Sequence, residues 1–378
     1  MHYVELFSGA GGGVLAHSVL GGSHLVAAAE KADYSKAVLA QRMAEGVLPP
    51  FALFDDVSTM DGKDFRGIDL LSGGFPCQGI SAAGRKLGIN DPRTQLIWQM
   101  LRMADESQAE YLFAENSDRL RGLLHLIVPE LQRIGYFSVA WCVVGASDLG
   151  AYHRRKRMWL LAKRGGPPFI YSWPGAPKKN PACGMLQGSH LLPLTMGTMG
   201  VRKVAQGSLL PTLTCGDSRA SGNRPEDNLW SLSDRLGVTK KASRLRQLPT
   251  LTATDWKSPW EGEGLEKALG KRSKPLRDML PLHTPGKFIN PVWGEWFMGW
   301  PMGWTALEGS MGEDVLRWKH AVIQDKWWSS TYERSALPAT IMNRKSYPYQ
   351  KERITALGNG QVPVVAHRTF EGLKGLLG

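Results

Sequence analysis

The chain has little cysteine. Cys77, Cys142, Cys183 and Cys215 are the four in 378 residues, and no two stand in a CxxC pair. That excludes a disulfide-stapled secreted scaffold and a zinc centre built on paired thiolates, so no metal is expected. Sparse, unpaired thiols suit a reducing compartment, and a cytoplasmic location is expected. A redox role for any one of them lacks a nearby partner cysteine. Long apolar runs are also missing. None approaches the roughly 20 residues needed to cross a bilayer, so no membrane partner is expected. The N-terminus, MHYVELFSGAGGG, has no basic stretch followed by an apolar one, and no signal peptide is evident.

Charge is scarce in net terms over the first 165 residues, with 18 Lys and Arg against 17 Asp and Glu. Residues 166–378 carry 28 against 17, so nearly all of the net +12 lies there. The densest stretch, Arg235 to Arg277, has 11 basic and 4 acidic residues. One half is near neutral. The other has the charge of a polyanion-binding surface, or of a merely well-solvated one. Eleven of the 14 tryptophans follow the same split.

The first 165 residues alternate strand-like and helix-like segments. HYVELFSG, HLVAAAE, GIDLLSGG, EYLFAEN, FSVAWCVV and RMWLLAK read as strands. GVLAHSVLGG, DYSKAVLAQRMAEG, LIWQMLRMADESQ and LRGLLHLIVPELQRIG read as helices, the last with Pro129 inside it. This alternation predicts an α/β domain, an open, doubly wound parallel sheet with helices on both faces. Ligands of such sheets bind at the carboxyl ends of the strands. Beyond residue 165 the periodicity fades into a Pro- and Gly-rich stretch. A short repeat follows, LPTLTCGD at 210–217 and LPTLTATD at 248–255. NPVWGEWFMGWPMGWT, at 290–305, is aromatic and reads as core, with a groove wall as the other reading. The last segment, ALGNGQVPVVAHRTFEGLKGLLG, reads as a turn and then an amphipathic helix.

Several residues at the expected strand ends carry chemistry. ELFSGAGGG puts four glycines between a strand and a helix. Glycine lets backbone N–H groups approach a ligand, though a plain tight turn has the same composition. Glu30 closes the second strand, where a carboxylate can accept from ribose hydroxyls. Asp56 falls at the expected end of the third strand, where it could accept from an adenine amino group. Together they suggest an adenosine-containing cofactor. Cys77, in DLLSGGFPCQGIS, follows a strand and is framed by Pro76, which makes it a candidate nucleophile. Glu115 ends another strand and could donate or accept a proton. HRRKR, at 153–157, precedes a strand, so Arg155 and Arg157 are expected to share a face. A solvated basic edge is the alternative.

The order FSGAGGG, PCQ, EN, RRKR and GN, at these separations, resembles the DNA cytosine-5 methyltransferase family in its prokaryotic or phage form. The likeness covers roughly 1–165 and 350–378. It implies a Rossmann-like, S-adenosylmethionine-dependent methyltransferase domain over 1–165 and 346–378. A smaller target-recognition domain is implied over 166–345, with double-stranded DNA as the partner. Residue by residue, the likeness implies cofactor contacts from Phe7, Ser8, Gly9, Gly11, Gly12, Glu30, Asp56, Val57, Pro76 and Asn359. It makes Cys77 the nucleophile, Glu115 the acid at cytosine N3, and Arg155 and Arg157 the paired arginines, one near the base O2. Gln78, Ser81, Arg85, Arg219, Arg244, Arg246 and Lys257 are expected at the DNA.

The implied reaction begins with base flipping, because neither C5 nor C6 can be reached inside a duplex. Cys77 then attacks C6, C5 receives a methyl group, and loss of the C5 proton with expulsion of cysteine restores the ring. GISAAGRKLGINDPR is expected to be a loop that closes over the base. The chain departs from the family pattern in three places. Ser117 follows EN where an apolar residue is usual, His153 stands where glutamine is common, and the last motif reads Gly-Asn-Gly-Gln-Val. The penultimate motif is best matched by FMGWPMGW. The family further implies a monomer, and its restriction-modification setting implies a cognate endonuclease. Two rivals remain at this point. One is a tRNA cytosine-5 methyltransferase on the same framework, and the other is a non-catalytic DNA-binding regulator. The long basic insert argues against the first, and intact Cys77, Glu115 and Arg157 argue against the second.

Overall fold

The computed structural model describes residues 1–76, 96–149, 151–166, 169–171, 249–257, 276, 287–324, 338–343 and 348–377. Cys77, Gln78, Ser81, Arg85, Arg219, Arg244 and Arg246 lie outside them, as does the first copy of the repeat. The chain divides into two compact units. The first takes Met1–Leu149, Lys156–Thr198 and Gln361–Gly378; the second takes Gly150–Arg155 and Met199–Gly360.

In chain order the first unit begins with β1 (His2–Leu6) and a helical turn α1 (Gly12–Val14) that continues as a π-helical turn over Leu15–Leu20. Next come β2 (His24–Ala29), α2 (Asp33–Ala44), β3 (Ala52–Phe54) and β4 (Leu70–Gly73). α3 (Leu96–Ser107), β5 (Tyr111–Ser117), α4 (Leu124–Arg133), β6 (Tyr136–Val144), β7 (Arg157–Arg164) and β8 (Phe169–Tyr171) follow. The second unit holds β9 (Lys287–Ile289), α5 (Pro291–Phe297), α6 (Gly312–Ile323), β10 (Ile341–Asn343) and α7 (Gln350–Asn359). The chain then re-enters the first unit as α8 (Pro363–Leu377).

The first unit is an eight-stranded sheet in the order β3-β2-β1-β4-β5-β7-β6-β8. β1, β2, β3, β4 and β5 pair in parallel, as the alternation of elements predicts. The expectation of a parallel sheet throughout is corrected at β7, which runs antiparallel to both β5 and β6. The described residues joining β6 to β7 hold only the short turn Ala146–Leu149 and no crossover helix. A parallel return needs a longer crossover, so the strand comes back reversed. β1, β4 and β5 are buried over almost their whole length, because helices cover both faces. α3 buries Ile97, Met100, Leu101, Met103 and Ala104, the 3–4 spacing of a one-sided helix. Pro129 sits inside α4 without ending it. α8 lies against the π-helical turn, β6 and β7 through Val364, Val365, Phe370 and Leu373.

A polar seam runs through this apolar core. Glu5, Ser72 and His17 are all buried, and His17 Nε2 lies 3.0 Å from the Ser72 hydroxyl. The His17 ring meets Phe113 and Phe370 edge-on. Burial pushes the Glu5 carboxyl up to about 8, against a weaker lowering by the Ser72 hydrogen bond. Burial, and then the charge of His367, lowers His17 to about 3. Glycine 13 makes room for Glu5: a Cβ at that position would stand 1.9 Å from Glu5 Oε1.

In the second unit, Trp293, Trp296, Phe297, Trp300 and Trp304 are buried, so the aromatic stretch is core. Asn290 caps α5 by accepting from the Val292 N–H, with Pro291 next in line. Glu295 is fully buried and accepts from the backbone N–H groups of Gly303 and Thr305, from the Thr305 hydroxyl, and from Arg353 Nη2 at 2.9 Å. A buried carboxylate with that many donors is compensated. Gly358, near the end of α7, lies against the backbone of Thr252 and Ala253. A Cβ there would be 2.1 Å from Ala253 N and 2.2 Å from the Thr252 carbonyl carbon.

Two predictions follow from these contacts. Glu5 holds its proton more tightly folded than unfolded, so its contribution to stability falls as pH rises from 4.5 to about 8. His17 and His367, with folded values of about 3 and about 4, lose stability in the opposite direction, as pH falls below 6.5. Between pH 6.5 and 8 Glu5 is the member of this set that titrates. The urea midpoint should drop there by the equivalent of roughly 2 kcal/mol, and Glu5→Gln should flatten the drop. A wild-type midpoint that holds level across that window contradicts the assignment. Second, Gly358→Ala should destabilise by about 1–3 kcal/mol despite alanine's better helix propensity, because the obstacle is backbone. A melting temperature equal to or above wild type would sink this reading.

Candidate functional site

The carboxyl ends of β3, β2, β1, β4 and β5 lie side by side in that order along one edge of the sheet. They carry, in turn, Asp56 and Val57, Glu30, the glycine turn, Gly74 to Pro76, and Glu115. Open parallel sheets bind ligands at this edge.

The turn after β1 is sharply bent. Phe7, Gly9 and Gly11 have φ of 56°, 53° and 100°. Positive φ is strained for a side-chain-bearing residue and free for glycine, so Phe7 is held there by its surroundings. Ser8 ties the turn to β2 by donating its N–H and its hydroxyl to the Ala29 carbonyl, at 3.0 and 3.3 Å. Gly11 N–H closes back on the Ser8 carbonyl at 2.9 Å, and Gly12 begins α1. Around Gly9 the space is open: a Cβ there would meet nothing within 4 Å.

Glu30 braces this turn. Its Oε2 accepts from Gly9 N–H at 2.7 Å and its Oε1 from Ala32 N–H at 2.8 Å. A carboxylate has about four lone-pair sites, so two backbone donors leave capacity for a hydroxyl. Asp56 caps the short turn Val57–Thr59, accepting from Ser58 N–H at 2.9 Å and the Ser58 hydroxyl at 2.8 Å, with Lys31 Nζ at 3.3 Å. The backbone bond from Ser58, then its hydroxyl and Lys31, hold the Asp56 carboxyl below the usual range. Asp56 is thus an ionised acceptor at neutral pH. Val57 is buried, and its carbonyl accepts from Arg102 at 2.9 Å. The open glycine turn with two carboxylate acceptors along the same edge could hold an adenosine-containing group: it offers close backbone approach and two side-chain acceptors.

Further along the edge, the Asn116 side chain donates to the Phe75 carbonyl at 3.0 Å, both groups buried. This bond joins the exit of β4 to the end of β5, two residues before Cys77. Glu115 is 8% exposed and pairs through Oε1 with Arg157 Nε at 2.8 Å. Arg157 opens β7 opposite Ser117, so the antiparallel return of that strand delivers the guanidinium to the carboxylate. Pro76, partly exposed, is the last described residue before the thiol.

Arg155 and Arg157 do not share a strand face. Arg155 precedes β7, has φ of 30°, and belongs to the second unit. There its guanidinium donates to the carbonyls of Leu251, Gly358 and Gly360 at 3.3, 3.1 and 2.5 Å. Asn359, the last residue of α7, is exposed and also belongs to the second unit. Lys257 is exposed, with its ammonium 5.7 Å from the Trp256 ring; Lys351 approaches the same ring at 5.0 Å. Sequence reasoning missed Glu5 and the anchoring role of Asn116. An acid inside the apolar run HYVELF was the available signal for the first. The second, a side-chain bond across 41 positions, has none.

Residues 1–184 match the family model described as C-5 cytosine-specific DNA methylase. Among curated proteins, the Type II methyltransferase M.CviJI of Paramecium bursaria Chlorella virus IL3A is 32% identical over 164 residues, 43% of this chain and 42% of that protein. The Type II methyltransferase M.NgoMIV of Neisseria gonorrhoeae is 28% identical over 186 residues, 47% and 56%. The chain thus spans about half the length of the curated relatives it matches. Among solved structures, the S. pombe Dnmt2 methyltransferase aligns with 100% of this chain and 99% of its own at a TM-score of 0.53 and 16% identity. The Entamoeba histolytica methyltransferase EhMeth aligns over 100% and 99% at 0.51 and 12%. At such identities these two support the fold alone, an α/β, Rossmann-like sheet. By the match over residues 1–184 and the motifs on that sheet edge, this part of the chain resembles the C-5 cytosine-specific DNA methylase family.

Proposed function

We propose that the protein is a sequence-specific DNA cytosine-5 methyltransferase using S-adenosylmethionine. The observation that carries the reading is the junction at the ends of β4 and β5. Asn116 fixes Phe75, two residues before Cys77, beside the Glu115–Arg157 pair. A nucleophile and a carboxyl group in one crevice are what addition to C6 of a cytosine requires.

The roles follow from the groups. The Cys77 thiolate forms a bond to C6 of a flipped cytosine. Glu115 supplies a proton or hydrogen bond at N3, and the ring electrons move to C5. Arg157, bonded to Oε1, fixes the carboxyl group's direction. The glycine turn, Glu30, Asp56 and Val57 would hold the cofactor. When bound, S-adenosylmethionine supplies the electrophilic methyl group that C5 accepts. Loss of the C5 proton to a base then expels the cysteine sulfur and restores the aromatic ring. Arg155 is proposed as a brace of the second unit, through its three carbonyl partners. That unit is proposed to recognise the target duplex, with Lys257, Arg219, Arg244 and Arg246 contributing positive charge for phosphates. The likeness to Type II methyltransferases supports a restriction-modification setting, with a cognate endonuclease as partner. Among the described residues no helix is long and apolar enough to cross a membrane.

Bisulfite sequencing of DNA from cells expressing the protein should reveal 5-methylcytosine at one short motif. Cys77→Ser should reduce methylation by on the order of 10³-fold or more and abolish covalent trapping on 5-fluorocytosine DNA. Full activity of the serine variant, or preference for an RNA oligonucleotide over matched DNA, overturns the reading. Exchange of residues 166–345 for the equivalent segment of a relative should move the methylated motif to that relative's. An unchanged motif would refute the recognition role.

A further inference from the structure

The bare Cα of Gly74 is a meeting point for two polar side chains from distant elements. A Cβ placed on Gly74 would lie 2.8 Å from Glu115 Oε2 and 2.9 Å from Gln361 Nε2. Gly74 is not in the left-handed region, so backbone conformation does not explain the glycine. The crowding does. Glu115 comes from the end of β5 and is 8% exposed; Gln361 comes from the lead-in to α8 and is 9% exposed. All three residues belong to the first unit.

The two oxygens of Glu115 face different surroundings. Oε1 is taken by Arg157 Nε, the cation brought up by β7. Oε2 points over Gly74, where the Gln361 amide nitrogen converges on the same spot. Nitrogen of a carboxamide can only donate, and a carboxylate oxygen accepts. The backbone at Gln361 is held independently of the β4 exit. The chain enters α8 here, Ala366 N–H bonds to the Val362 carbonyl at 3.0 Å, and α8 is seated on β6 and β7. The amide is therefore carried on a fixed element while the β4 exit supplies only a bare Cα.

We infer that Gln361 is a positioning residue for Glu115: its amide steers the second carboxylate oxygen over Gly74, and Gly74 is glycine to leave room for both. This deepens the proposed function, because it rests on Glu115 as the acid at the base. Arg157 restrains one oxygen and Gln361 the other, so the carboxyl plane is set from two sides. Removal of the amide should leave the protonated form less disfavoured, because a hydrogen bond to the charged form lowers the carboxyl pKa.

The test reads Glu115 directly in protein free of cofactor and DNA. Glutamate carrying ¹³C at the side-chain carboxyl is incorporated, and the Glu115 resonance is identified by its loss in Glu115→Gln. In Gln361→Met its midpoint should move up by about one pH unit relative to wild type, and in Gln361→Glu by more. Gly74→Ala, whose methyl group displaces only side-chain ends, should shift the midpoint in the same direction. It carries the test if the Gln361 variants do not fold. A Glu115 midpoint unchanged in folded Gln361→Met, or in Gly74→Ala, overturns the inference. In methylation assays the Gln361→Met acid limb should shift with the resonance, at a melting temperature near wild type. Loss of melting temperature with no shift would mark a purely structural residue and overturn the inference. Shifts in the resonance without methylation of any DNA would instead sink the proposed function and leave the Gln361–Glu115 coupling standing.

Discussion

Asn116 donates a side-chain N–H to a main-chain carbonyl 41 residues earlier, at Phe75, inside the protein. Buried carbonyls need a partner, and the residues after a strand have no ladder left to supply one. That single bond ties the exit of β4 to the end of β5. Everything proposed for the chemistry depends on it, because it sets where Phe75, two residues before Cys77, lies relative to the end of β5. The Glu115–Arg157 pair adds direction to the carboxyl group, and it too relies on a long-range event, the reversed insertion of β7 beside β5.

The glycine turn depends on comparable support from beneath and beside. Glu5 lies under Gly13, buried with Ser72 and His17, and stays protonated at neutral pH because water cannot reach it. Glu30 braces the turn from the side through Gly9 and Ala32. The turn is thus shaped by two acids in different surroundings. One is neutral inside the core, and the other is an acceptor at the sheet edge. A tight turn made only of glycines would be looser, since glycine has the most backbone freedom to lose.

In the second unit the same kind of economy appears around the segment 251–255. Gly358 meets its backbone with no Cβ between, Thr355 donates to the Ala253 carbonyl at 3.2 Å, and Arg155 donates to the Leu251 carbonyl. Asp255 closes the segment on itself by accepting from Thr252. Residues 249–255 are therefore an irregular stretch, with the Leu251 carbonyl bonded to one arginine and the Ala253 carbonyl to α7. Its composition of threonines and an aspartate suits local turns of this kind.

Much of the first unit was legible in the sequence. Strand and helix periods, glycine turns and the acids at the ends of β2, β3 and β5 depend on neighbours within a few residues, and local geometry determines them. The parallel direction of β1 to β5 followed from that alternation, as did the edge on which Glu30, Asp56 and Glu115 stand. The direction of β7 was not legible, because HRRKRMWLLAK has the same period whichever way it runs. The separation of Arg155 from Arg157 was equally hidden: two residues apart, they belong to different compact units, and the positive φ of Arg155 itself breaks the expected alternation. Gly74 shows the difference most clearly. Its place after a strand was readable from the chain alone. The reason it must lack a side chain comes from a glutamate 41 positions on and a glutamine 287 positions on, and only packing of β4, β5 and α8 in three dimensions could put their ends against it.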